Sequence, residues 1–422
     1  MREDFLHFIW KLQLFSKVDL ISTRNESIEI VKQGLLNFNS GPDFLNAKVR
    51  INGQLWAGNV EIHLKASDWY VHQHEKDLNY NTVILHVVWD NDIEVFNKYN
   101  EAIPTIELKS YISKDLLSNY KSHFNSPKKW INCENNISTI SKFKLSHFFE
   151  QLYFNRLEQK SILIESELLK TNKDWEAILF RLLLKNFGLK VNGEAFLNLG
   201  NSINFSVIRK VSQNPFQMEA LLFGQAGILE ETKESVYFEK LQKEYKYLQS
   251  KFKLKPLNNG QIQFFRLRPN NFPTIRLSQI AQLYFKYKNL FSKIMEMNSL
   301  QNYYELFKIE TSEFWETHYT FEKESKKRVK KLSEAFIDLL LINTIIPIKF
   351  KYYIQQGTSI DSILDLIQEI KPEKNTIISK FNELKIASDS AFETQALLQL
   401  KNEYCNKLKC LDCTIGKDLL TR

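Results

Sequence analysis

Four of the eight histidines, His63, His72, His74 and His86, fall within 24 residues of one another. Packing alone rarely gathers titratable side chains this closely, so the stretch is read first for chemistry. In the run VEIHLK, strand alternation sends Val60, Ile62 and Leu64 to one face and Glu61, His63 and Lys65 to the other. A strand that buries one face and aims three ionisable groups off the other either meets solvent or lines a site. A preceding hairpin brings Asp43 toward the same region. Two carboxylates from adjacent strands suit a hard divalent cation such as Mg2+, which prefers oxygen ligands and retains waters. Such an ion stabilises charge on a phosphoryl group.

Local elements must hold those groups in place. Phe5, Phe8, Ile9 and Leu12 recur at helical spacing near the start. SIEIVKQG, AKVRING and LWAGNVEIHLKAS read as three strands, the second ending in an Asn-Gly turn. DWYVHQHEKDLNY reads as a helix with Asp68 as its N-cap, and TVILHVVWD as a strand covered on both faces. From about Lys142 onward helical periodicity takes over, with no fixed-period repeat. The expected class is α+β: an α/β part over residues 1–130 and a larger all-α part over 131–422, with the break in SHFNSPKKWINCENNIS.

Pro42-Asp43, seventeen intervening residues and Glu61-Ile62-His63 resemble the PD-(D/E)xK nuclease signature, with His in place of the final Lys. The helix, three strands, helix, strand order is similar to that superfamily's restriction-endonuclease-like αβββαβ core. The words GPDF, GNVEIH, SDW and YNTVILHVV further resemble domain-of-unknown-function family 2851 over the whole length. The nuclease resemblance implies Mg2+ or Mn2+ held by Asp43, Glu61 and the Ile62 carbonyl, with His63 in the lysine's role and Lys65 as its helper. It also implies that the first helix supplies an acid, for which Glu3 is the candidate, although an acid is favourable at any helix N-terminus. His72, Lys76 and Tyr80 form a loose analogue of the Gln-x3-Tyr word of RecB-like nucleases. One alternative is a catalytically inactive nuclease-fold protein that binds nucleic acid or acts as a scaffold; the other is a zinc or manganese hydrolase using His63, His72, His74 and Asp77. On a helix, His72 and His74 point about 200° apart, which counts against it unless the segment is irregular. His86, inside an apolar strand, reads as a hydrogen-bonded core histidine.

Cys133 and the late cluster Cys405, Cys410 and Cys413 are four thiols that suit a [4Fe–4S] cluster or Zn2+. Some RecB-like exonucleases are similar in count and in the C-terminal cluster. Arg266, Arg268 and Arg276 around a Pro-Asn-Asn turn suit backbone phosphates at a helix start, and KESKKRVKK is a denser basic run. The formal charge of +8 is unevenly spread, net −1 over residues 1–130 and +9 beyond. That suits an enzyme handling a polyanion, and the nuclease resemblance implies a nucleic-acid partner, DNA rather than RNA, bound through phosphates without sequence reading. The start MREDFLHFIWKLQLF lacks signal-peptide order, and IDLLLINTIIPI is short and broken by Asp338, Asn343 and Pro347. The expectation is a cytoplasmic nuclease with no membrane segment.

Overall fold

The apolar repeat at the start becomes α1 (Glu3–Leu12), which buries Phe5, Leu6, Phe8, Ile9 and Trp10 and carries Glu3 and Asp4 in its first turn. Acids there complement the helix dipole. The computed structural model describes residues 1–124, 129–231, 233–258 and 260–422; part of the break, residues 125–128, lies outside them. Six strands follow α1: β1 (Ile28–Lys32), β2 (Leu35–Leu36), β3 (Phe44–Ile51), β4 (Gln54–Lys65), β5 (Val83–Asp90) and β6 (Thr105–Glu107). They form one mixed sheet in the order β1-β3-β4-β5-β6, with β2 also paired to β3. β3 and β4 are antiparallel and join through Asn52-Gly53, both at positive φ, the two-residue turn that the strand twist favours. β5 lies parallel to β4, and β6 parallel to β5.

Between β4 and β5 the expected helix is largely absent. Only α2 (Asp68–Val71) is helical, followed by turns and a 3-10 turn at Leu78–Thr82. Gln73 at φ 59 is the break. Left-handed backbone at a non-glycine residue ends helical propagation. Asp68 is the first helical residue rather than the cap, and its carboxylate accepts from the Lys65 N–H at 3.0 Å.

The chain divides into two compact units, residues 1–145 with 401–422 and residues 146–400. In the first, α1, the inner face of the sheet and α3 (Lys114–Phe124) share a core containing Phe5, Trp10, Phe44, Val60, Ile62, Val87 and Leu116. Leu411 and Leu420 from the C-terminal segment lie in that core. The opposite face of β4 and β5 carries the polar side chains, backed by a smaller cluster of Ala66, Trp69, Val88, Val95 and Ile103. The second unit is helical, beginning in the long helix Lys142–Lys170 and including Trp175–Phe187 and Pro273–Lys286. The fold is therefore α+β, an N-terminal curled sheet with a larger helical region. No described helix is long and apolar enough to cross a membrane.

Candidate metal centre

A one-residue irregularity decides where Asp43 points. β3 and β4 shift register between Phe44 and Ala47, and Asn46 sits there at φ 56. Phe44 therefore pairs with Val60, and both side chains enter the core. Strict alternation back from Ala47, Val49 and Ile51 would have put Asp43 on the core face; the bulge turns it to the other. Asp43 and Glu61 are consequently opposite each other and latched reciprocally. The Asp43 N–H donates to Glu61 Oε2 at 3.1 Å, and the Ile62 N–H donates to Asp43 Oδ2 at 3.0 Å. Asn46 N–H donates to Asn59 Oδ1, holding the bulge.

Two clusters meet at this pair. Glu3, His7 and Asp43 offer ligand atoms that all lie within 4.8 Å of one another. Glu3 and His7 are one helical turn apart on α1, and His7 Nε2 lies 3.2 Å from Asp43 Oδ2. His63, His72 and His74 form the second such group. His63 Nε2 is 3.1 Å from His72 Nδ1, and Glu61 Oε1 is 3.5 Å from His63 Nε2 and 3.3 Å from His74 Nε2. The left-handed Gln73 brings His72 and His74 to one side, with ring centroids 5.4 Å apart. The helical objection to joint ligation fails with the helix itself. Asp77 is not in the group; it accepts from the Asn79 N–H and starts the 3-10 turn.

Behind the cluster, His86 Nε2 meets His63 Nδ1 at 2.9 Å. Tyr80 stacks on His74 with centroids 3.7 Å apart, and Trp69 packs edge-on to the same ring. The expected stripe of His72, Lys76 and Tyr80 does not form, because its helix does not; the Lys76 side chain is 72% exposed. Lys65 is also exposed, at the end of β4.

Protonation follows burial and crowding. Burial and then the Asp43 charge push Glu61 up to about 9. Burial drives His63 far below its ordinary range, helped by His86 and its other imidazole neighbours. It pushes His86 down to about 3 and also lowers His74. Burial and then Glu61 raise Tyr80 to about 12. At His7 burial opposes the charge, but Asp43 and then Glu3 and Glu61 outweigh it and the pKa rises. The donor set, carboxylates crowded beside imidazoles, fits divalent ions.

The four cysteines lie in the first unit. Burial, then Cys133, Cys413 and Cys410, raise the Cys405 thiol; burial, then Cys413 and Cys410, raise Cys133 to about 12. Among the described residues no three of them have sulfurs within 4.8 Å of one another. The arginine trio is not assembled. Arg276 is buried, bonded to Gln279 Oε1 at 3.0 Å and Asn271 Oδ1 at 2.6 Å, with its guanidinium 3.6 Å from the centroid of the Phe336 ring. Arg266 and Arg268 are exposed. KESKKRVKK is irregular rather than helical, with isolated bridges at Glu324 and Lys331, and Lys330 is buried against the Trp315 and Glu316 carbonyls. Sequence reasoning missed His7, although its i, i+4 spacing to Glu3 was visible. It also missed a cleft of about 320 Å3 lined by Arg2, His7, Lys11, Lys407, Lys409 and Lys417, with Asp4 and Asp412 also on its walls.

A family model described as "Protein of unknown function (DUF2851)" matches residues 3–376. The chain belongs to DUF2851. No curated protein and no solved structure matches it. The DUF2851 match covers every residue of the two candidate metal-ligand clusters, whereas Cys405, Cys410 and Cys413 lie beyond it.

Proposed function

We propose that the first unit is a metal-dependent phosphodiesterase acting on nucleic acid, DNA rather than RNA, with Mg2+ or Mn2+ at Asp43 and Glu61. The observation that carries this reading is the reciprocally latched carboxylate pair on β3 and β4. Its geometry is fixed by main-chain bonds, and its charge is uncompensated by any lysine or arginine of β4 within the cluster. Glu3 and His7 would complete the ligand set from α1, beside the Ile62 main chain. When bound, the ion supplies electrophilic stabilisation of the phosphoryl oxygens. The chain's own residues hold and orient it. The cleft beside His7 offers cations for the flanking phosphates.

The PD-(D/E)xK resemblance supports the same reading through Asp43, Glu61 and the sheet order. It departs at the lysine, since His63 is buried and neutral and Lys65 is exposed. The imidazole triad favours, as a second reading, a histidine-based metallohydrolase. At the four cysteines a [4Fe–4S] cluster or Zn2+ is a further proposal, which rests on their residue type and order in the sequence.

Incubation of the chelator-treated chain with single-stranded and duplex DNA and with RNA, with and without Mg2+ or Mn2+, tests the proposal. Cleavage that needs the ion and disappears in Asp43→Asn is expected. No cleavage of any form under any ion would leave a non-catalytic nucleic-acid-binding protein.

A further inference from the structure

The carboxylate pair accounts for one ion and leaves the three imidazoles on the far side of Glu61 without a task. Four atoms stand there: His63 Nε2, His72 Nδ1, His74 Nε2 and Glu61 Oε1. Three of their separations are 3.1 Å (His63 Nε2 to His72 Nδ1), 3.5 Å (Glu61 Oε1 to His63 Nε2) and 3.3 Å (Glu61 Oε1 to His74 Nε2), and the three imidazoles, without Glu61, form a group whose ligand atoms all lie within 4.8 Å of one another. A tetrahedron with bonds of about 2.0–2.1 Å to nitrogen and oxygen has edges of about 3.3–3.4 Å. These three contacts have about the spacing of neighbouring ligands on one ion, and the three imidazoles are the set that gathers around one point.

We propose that His63, His72 and His74, with Glu61 beside two of them, form a second divalent-cation site, selective for a nitrogen-preferring ion such as Zn2+. It is distinct from the Asp43 site, and the Glu61 carboxylate joins the two. Three further features support it. His63 Nδ1 is 2.9 Å from His86 Nε2, so the second ring nitrogen has the acceptor that ligating histidines usually find. Tyr80 and Trp69 fix the His74 ring. His72 is exposed while His63 is buried, which leaves one side open for an ion to enter. The site also supplies what β4 lacks. The residue in the lysine position is an imidazole, and Lys65 lies outside the cluster; a second cation restores positive charge there. The inference deepens the reaction proposed above and rests on it for the ion's purpose, though not for the ion's presence.

Cobalt(II) substitution tests it, because a tetrahedral nitrogen-rich site gives an intense visible absorption and an oxygen-rich six-coordinate site does not. The chelator-treated full chain, titrated with Co2+ and followed by equilibrium dialysis, is expected to bind two ions, one of which gives the intense band. His72→Ala and His74→Ala should each lose the band and one ion while keeping Mn2+ binding by paramagnetic resonance. Asp43→Asn should lose the other ion and keep the band. Circular dichroism checks each fold, and because His72 is exposed its variant serves if His74→Ala does not fold. No intense band in the wild type, or a band unchanged in both histidine variants, overturns the second site. Cleavage with a single Mg2+ and no second ion would leave the reaction standing without it. Two ions without cleavage would retain the site and remove the reaction.

Discussion

Glu61 is the residue on which both clusters turn. Its pKa sits near 9 against an ordinary 4.5, because burial and the Asp43 charge disfavour ionisation. Between those values the folded, metal-free chain keeps a proton that the unfolded chain has released. That contribution to stability is complete below 4.5 and is lost as pH rises through 9. A bound cation takes the proton's place, so affinity for Mn2+ should climb across the same window, by up to about tenfold per pH unit. Calorimetric titrations at several pH values should show proton release on binding, and Glu61→Gln should flatten the profile and weaken binding. His86 makes a second test at this scale. His86→Gln preserves an acceptor toward His63 Nδ1, whereas His86→Leu removes it. The Leu variant should bind Zn2+ about 10–100-fold more weakly than wild type, with Gln in between; equal affinities would mean that His86 only fills space.

Two short irregularities do at the element scale what regular strands and helices could not. The Asn46 bulge moves Asp43 off the core face, and the left-handed Gln73 breaks α2 so that His72 and His74 converge. Glycine adopts that backbone without penalty, while a β-branched residue pays about 1–2 kcal/mol or more. Gln73→Gly should therefore retain stability and metal stoichiometry. Gln73→Val should lower the melting temperature and weaken binding at the histidines more than at Asp43. Asn46→Val should do the reverse, damaging the carboxylate site first. Melting curves with paired Co2+ and Mn2+ titrations separate the two; identical losses at both sites would show a general unfolding effect instead.

At the scale of the whole molecule, the last residues belong to the first unit. Leu411 and Leu420 fill its core, Lys401 Nζ donates to the Trp130 carbonyl, and the segment supplies one wall of the basic cleft. Deleting residues 401–422 should therefore expose the core under α1 and lower the stability of the first unit by several kcal/mol, read as loss of its cooperative melting transition. Within the full chain, Lys11→Ala and Lys409→Ala should each weaken DNA binding similarly for unrelated sequences. Each should also reduce the log–log salt slope by about 0.7–0.9. Anisotropy titrations at several salt concentrations measure this, and unchanged slopes would remove the cleft from the nucleic-acid path.

Alternation and period sufficed for much of the first unit. The apolar faces of β3, β4 and β5, the Asn52-Gly53 turn, α1 and the helical character after Lys142 all follow from residue spacing. Asp43, Glu61 and His63 stood out because ionisable side chains on an otherwise buried strand are costly unless they line a site. The rest depended on contacts between segments far apart in sequence. A bulge carries no reliable signature in FLNAKV, since Asn tolerates left-handed backbone but does not demand it. HQHEKD has helical composition, and only packing of Trp69, Tyr80 and the imidazoles against β4 and β5 favours the broken form. His7 became a candidate ligand when α1 was laid beside β3. Arg276 left the list of phosphate contacts when its helix was packed around it. Local propensity decided which elements exist, whereas tertiary packing decided which way their polar side chains face, because burial energies over many residues outweigh the small backbone preferences at one.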